Sequence, residues 1–383
     1  MEETPCNFIQ LLFVSKMTAV HPFIVAVESI IDVEDEKTSE PVSLFVMNDE
    51  KNQDDINDTV SASKMTIADG LRPLLGSMRL FGLYFNRPSE DHDEKSRKWN
   101  VHMIYGAAIV ILLWINAVRM FSVFTQEDKF GPFLFNKLIV VTWSIQCAVS
   151  QTAFYAASFS GRLAVVFHQV LEDSCARHAR KFTAVQCVVA WSVIILASAF
   201  FGYGLFFTDG FVDSFLAPLQ SHIFLPSTLV PRIILYIFSF YLSAAYIFSQ
   251  TITFVLAMIF SHQFKKVIKT LGGCLDNEHR QVSDLDIETF RQKHQEISMT
   301  VSHVDDCLMF SNASAFCCQL FCFIVLLYML IFYHSTMNDP VVIASYVFWV
   351  FLFSFGLTLT AAGGVYVHHY VSLHSVCYLL LFY

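Results

Sequence analysis

The chain has 383 residues, of which 55% are hydrophobic, 15% aromatic and only 15% charged, and its mean hydropathy is +0.52. A soluble domain carries about 25% charged residues, so there is too little polar surface for a water-soluble globule, and the composition points to an all-α, polytopic membrane helix bundle. The net charge of −9 is concentrated, because ten acidic residues with Lys37 and Lys51 between Asp32 and Asp58 contribute −8 of it, which leaves no basic face for nucleic acid.

In chain order, residues 1–70 read as an acidic, largely disordered cytoplasmic tail. Its start, "MEET", is acidic, whereas a secretory signal begins positively charged, so no cleavage is expected. Residues 71–98 form a lead-in segment. Its apolar part, "LRPLLGSMRLFGLYF", has 15 residues, too few for a bilayer that takes about 20. An interfacial or re-entrant helix is expected there.

Residues 99–366 hold six apolar runs, near 99–123, 132–158, 183–207, 232–260, 308–333 and 341–366. Each is long enough to cross about 30 Å of hydrocarbon, and each should be helical, since an unpaired strand would leave backbone groups unsatisfied in lipid. Basic residues set the orientation. Fifteen, from Arg79 to Lys98, Arg162 to Lys181 and Lys265 to Lys293, fall on one side, against Arg119, Lys129, Lys137 and Arg232 on the other. The positive-inside rule then places the N-terminus in the cytoplasm, with Arg119, Lys137 and Arg232 snorkelling from helix ends.

Two helices should extend beyond the membrane as an intracellular part, 261–307. Helix four continues through "SHQFKKVIKTLGG", with Gly272-Gly273 as its expected stop. Helix five is preceded by Ile287, Phe290, His294, Ile297, Val301, Val304 and Leu308 at alternating steps of three and four. That is a heptad seam interrupted only by His294, and Ile287, Phe290, Ile297, Val301 and Val304 are its helix-packing or assembly residues. Ser283 or Asp284 could cap its start. The last stretch, 367–383, ends in "SVCYLLLFY", nine residues that cannot cross. It reads as the start of a truncated C-terminal element.

Catalytic chemistry is not visible. No GxSxG, HExxH, GKS/T or GxGxxG pattern occurs, and ionisable residues deep in the spans are nearly missing, so no enzyme, cofactor or metal is expected. Adjacent His368-His369 point about 100° apart on a helix and chelate poorly. The ten cysteines fall mostly in apolar spans and read as packing residues. Asn57 and Asn312 match the glycosylation acceptor but fall on the cytoplasmic side or in the membrane. The spans do offer aromatic and hydroxyl-bearing side chains: Trp143, Tyr203, Tyr236, Tyr241, Tyr328, Tyr346 and Trp349, with Phe206 and Phe240, in the halves expected to face outward. They suit a cavity for a small organic ligand, and each also fits the ordinary preference of Tyr and Trp for membrane interfaces.

With these features the chain resembles the gustatory-receptor-like and insect odorant-receptor chemoreceptors. The likeness rests on "LRPLLGSMRLFGLYF", the lengthened helix four, "FRQKHQEISMTVSHVDDCLMFSNASAF" and "YVFWVFLFSFGLTLTAAGGVYVHHYVSL", and covers roughly residues 71–375. It implies a ligand-gated, non-selective cation channel in the plasma membrane, binding a small organic ligand among spans two to six. It also implies a homo- or hetero-tetramer with related subunits, embedded in membrane lipid. The family's seventh helix lines the pore and carries Thr-Tyr, five apolar residues and Gln-Phe, a motif this sequence does not contain. Two other readings stand beside this one: a small-molecule facilitator, for which no internal pseudo-symmetry is evident, and a non-conducting subunit that assembles with longer relatives.

Overall fold

A computed structural model of the protein describes residues 65–85, 101–124, 130–171, 173–207, 229–276, 284–332 and 340–382. The unit Met1–Ser63, with the acidic stretch and Asn57, lies outside them, as do the basic residues from Arg87 to Lys98. The fold described is that of Lys64–Tyr383.

The first helix, α1, spans Ile67–Leu80 and so starts earlier than the apolar run suggested. Thr66 and Asp69 form a reciprocal capping box: the Asp69 carboxylate accepts from the Thr66 backbone N–H at 2.9 Å and hydroxyl at 2.8 Å, and the Thr66 hydroxyl accepts from the Asp69 N–H at 3.4 Å. These bonds from Thr66 hold the Asp69 carboxyl below the usual carboxylate range. Ile67, Leu71 and Leu74 are completely buried, so this short helix is built into the core instead of lying alone on a lipid surface. Backbone bonds from Ile67 N–H to Gln169 C=O at 2.9 Å and from Leu171 N–H to Met65 C=O at 2.8 Å tie its start to a later loop.

Six further helices are long and apolar enough to cross a membrane. They coincide with the described parts of the six runs expected from the sequence. α2 (Val101–Met120) ends in a 3₁₀ turn at Phe121–Val123. α3 spans Pro132–Phe159, and α4 (Arg162–Phe167) is a short connector. α5 is Asp173–Phe207, starting ten residues before the apolar run. α6 is Leu229–Asp276, α7 is Asp284–Phe332, and α8 is Pro340–Phe382. Among the described residues there is no strand beyond an isolated Thr66–Val170 bridge.

α6 is the axis of the bundle. It packs against α1, α3, α5, α7 and α8, and Ala244, Phe248, Ile252, Val255 and Phe264 along it are fully buried. α2 sits at the edge on α3, and its Ile111, Ile115 and Val118 face outward. Such an apolar outer surface is what a lipid solvent permits.

Three details depart from the sequence expectation. α6 passes through Gly272-Gly273 to Asp276, because an interior glycine costs about 1 kcal/mol and does not by itself break a long helix. α8 continues from the sixth span to Phe382 without interruption. No Gly or Pro comes after Gly364, so nothing breaks the helix before "SVCYLLLFY". Lys137 does not snorkel: it is buried, and its Nζ donates to the Val123 carbonyl at 3.0 Å, satisfying the end of α2.

The heptad seam of α7 faces inward. Phe290, Ile297 and Leu308 are buried, Val301 and Val304 pack on the core, and the His294 ring tilts against Phe264 of α6 at 5.4 Å. The side chain of Ile287 lies outside the described residues, as do those of His368 and His369.

Candidate functional site

The candidate site begins at the end of the bundle that holds Pro132 of α3 and Pro340 of α8. Here α3 contributes Phe135, Asn136 and Trp143, α7 contributes Tyr328, and α8 contributes Tyr346 and Trp349. The two indoles meet edge to face at 5.4 Å. The Tyr346 hydroxyl donates to Asn136 Oδ1, fixing α8 on α3. Tyr328 packs edge-on against Phe135 at 5.4 Å, next to that bond. Four of the seven expected ligand residues therefore share one region.

The other three do not. Tyr236 packs on Phe206 and Phe240, and a Cβ placed on Gly202 would come within 2.7 Å of its ring. Tyr203 stacks on Phe207 at 5.5 Å in the same part of α5. Tyr241 lies on a different face of α6. Its ring contacts Phe81 at 5.6 Å and its hydroxyl sits 3.2 Å from that of Tyr105. Five residues of α-helix rotate a side chain by about 140°, so Tyr236 and Tyr241 cannot line one wall.

Below the indoles the wall becomes polar. Trp349 leads to Phe353 at 6.0 Å and Phe353 to Tyr246 at 5.8 Å. Gly356 leaves room for a phenol and an amide: a Cβ there would lie 3.0 Å from the Tyr246 hydroxyl and 3.2 Å from Gln319 Nε2. The buried Tyr246 hydroxyl and Gln319 amide thus meet beside Gly356, with no partner beyond each other among the described residues, and Trp143 Nε1 is buried without an acceptor; Ser144 Oγ and the Gln146 amide are also buried without partners, on opposite sides of α3. One turn further, Thr360 donates to Gln250 Oε1 at 2.9 Å. A buried polar atom without a partner costs about 1–3 kcal/mol. The Tyr246–Gln319 pair, lined by apolar rings, forms a region suited to a neutral guest that offers both donors and acceptors.

Gln146, Gln250 and Gln319 were not among the residues expected from the sequence. Their signal was present: amides inside apolar runs are costly in lipid and turn inward.

No family model matches the chain, and no curated protein matches it. Among solved structures it is similar to the insect olfactory receptor OR5 from Machilis hrabei, with a TM-score of 0.55 and 17% identity, covering 78% of this chain and 81% of that one. What the two share is the fold, an all-helical membrane bundle seen in a chemoreceptor.

Proposed function

We propose that the protein is a chemosensory receptor subunit of gustatory type, a ligand-gated non-selective cation channel of the plasma membrane with its N-terminus in the cytoplasm. The fold shared with an insect olfactory receptor supports the receptor class. The observation that carries the ligand site is the buried Tyr246–Gln319 pair, reached from the Trp143–Trp349 pair through Phe353. A small neutral organic molecule carrying a hydroxyl or carbonyl would place its apolar part on the indoles and its polar group against Gln319 and Tyr246. It would add hydrogen bonds to the capacity these two groups leave unused, and that differential is what a ligand needs to shift a conformational equilibrium. Assembly is proposed as a homo- or hetero-tetramer with related subunits.

The test is current in cells expressing the full chain, alone and with related receptor subunits, challenged with a panel of small alcohols, phenols and ketones. Ligand-evoked cation current that Gln319→Leu abolishes is the expected result. Uptake of the compound without current would replace the channel reading with a facilitator. An N-terminal epitope reachable on intact cells would overturn the orientation.

A further inference from the structure

At the opposite end of the bundle, a cleft between α5 and α6 takes no part in the function proposed above. Its walls are His178, Ala179 and Phe182 from α5 and Met258, Ile259 and His262 from α6. The two imidazole rings stack nearly parallel, 4.8 Å apart at 9°, and Phe182 continues the stack beside His178 at 6.5 Å and 4°.

Polarity along this cleft is ordered. α5 runs into the membrane from Asp173 and α6 runs out of it towards Asp276, so Phe182, Met258 and Ile259 form the membrane-ward half and the histidines the rim. Past His262, Lys265, Lys266 and Lys269 come at steps of three, four and seven, which puts them on the same face of α6. Lys265 and Lys269 are exposed and Lys266 is half-buried. Across the cleft, Arg177 and Lys181 are exposed on either side of His178.

We propose that this cleft binds an anionic phospholipid of the adjoining bilayer leaflet. An acyl chain lies against the half-buried Phe182 and Met258, and the phosphates sit between the histidine pair and the lysine face of α6. The apolar-to-cationic order matches the order of groups in such a lipid. A soluble anion would leave the apolar half without a role. A metal ion is not favoured, since no group of three His, Cys, Asp or Glu among the described residues could hold one. Juxtamembrane cations near a leaflet surface attract anionic lipid. The site requires nothing of the ligand pocket or the pore.

The test uses the purified full chain in detergent, with a fluorescent phosphatidylinositol 4,5-bisphosphate as probe. The competitors are unlabelled dioleoyl phosphatidylinositol 4,5-bisphosphate, dioleoyl phosphatidylcholine and soluble inositol 1,4,5-trisphosphate. The anionic lipid should compete at least about tenfold better than either of the others. The triple variant Lys265→Gln, Lys266→Gln, Lys269→Gln should weaken probe binding by about tenfold or more. Met258→Trp should weaken it with every charge in place, and Lys293→Gln on α7 should not. Unchanged binding by the triple variant overturns the proposal, as does equal competition by phosphatidylcholine or by the soluble headgroup. A thermal midpoint for each variant confirms folding, and the lysine result decides should Met258→Trp not fold.

Discussion

The indole of Trp143 on α3 stands edge-on to the indole of Trp349 on α8 with 5.4 Å between ring centres, and its Nε1 finds no acceptor there. One edge-to-face pair of this kind contributes about 0.5–1.5 kcal/mol beyond the area it buries. The pair thus holds two spans together while leaving a donor unused. Trp143→Phe keeps an aromatic ring but removes the pyrrole half of the indole with its donor. Its thermal midpoint should fall, as for any buried large-to-small change, while the dose–response for a hydroxyl- or carbonyl-bearing agonist shifts to higher concentration. An unshifted curve would remove Trp143 from the ligand site.

Gly106 of α2 faces the loop after α1. A Cβ there would meet the Gly82 carbonyl oxygen at 2.9 Å and the Tyr155 ring at 3.2 Å, and Gly82 itself holds a left-handed φ of 69°. Gly106→Ala should therefore destabilise by about 1–3 kcal/mol, read as a lower unfolding midpoint. Gly76→Ala is the control. Nothing lies within 4 Å of its Cβ position, and removing a helix-interior glycine should raise stability by about 0.5–1 kcal/mol.

The capping box of α1 gives a pH prediction. Asp69 has its carboxyl pKa lowered in the folded protein by the bonds from Thr66. A depressed carboxylate stabilises the fold above its unfolded pKa near 3.8, and this is lost as pH falls through the lower folded value. Thr66→Ala should cost about 1 kcal/mol at neutral pH. The difference between wild type and Asp69→Asn should shrink on acidification below about pH 4. Unfolding midpoints of both chains across that range are the measurement, and a gap that widens in acid would contradict the cap.

The bond from Thr360 to Gln250 joins α8 to the central helix. In a double-mutant cycle of Thr360→Val with Gln250→Leu, the coupling energy should be about 0.6 kcal/mol and no more than about 1.7, the range for such bonds between membrane helices. Additive losses would mean that the two side chains act separately.

The spans could be read from the residues because lipid demands long apolar helices and nothing else satisfies the backbone. The inward face of α7 was equally plain: alternation of three and four from Phe290 to Leu308 dictates which side packs. The site was legible only in part. Trp143, Trp349, Tyr346 and Tyr328 fell together because their helices meet at one end. Tyr241 was misplaced because depth in a span says nothing of rotation about its axis. Lys137 shows the same limit, since a charge near a helix end can satisfy a neighbour's carbonyl as readily as reach water. The pair of Tyr246 and Gln319 was invisible as a unit, being assembled from two spans distant in sequence.

α7 is one unbroken helix of 49 residues, about 74 Å of rigid rod. Its one end carries Tyr328 beside the aromatic cluster and its other carries Phe290 far outside the hydrocarbon. A tilt of about 5° at one end would swing the far tip of such a rod by roughly 6 Å, given the 1.5 Å rise per residue, so a small displacement beside the aromatic cluster would reach the other end without any intermediate part having to change shape.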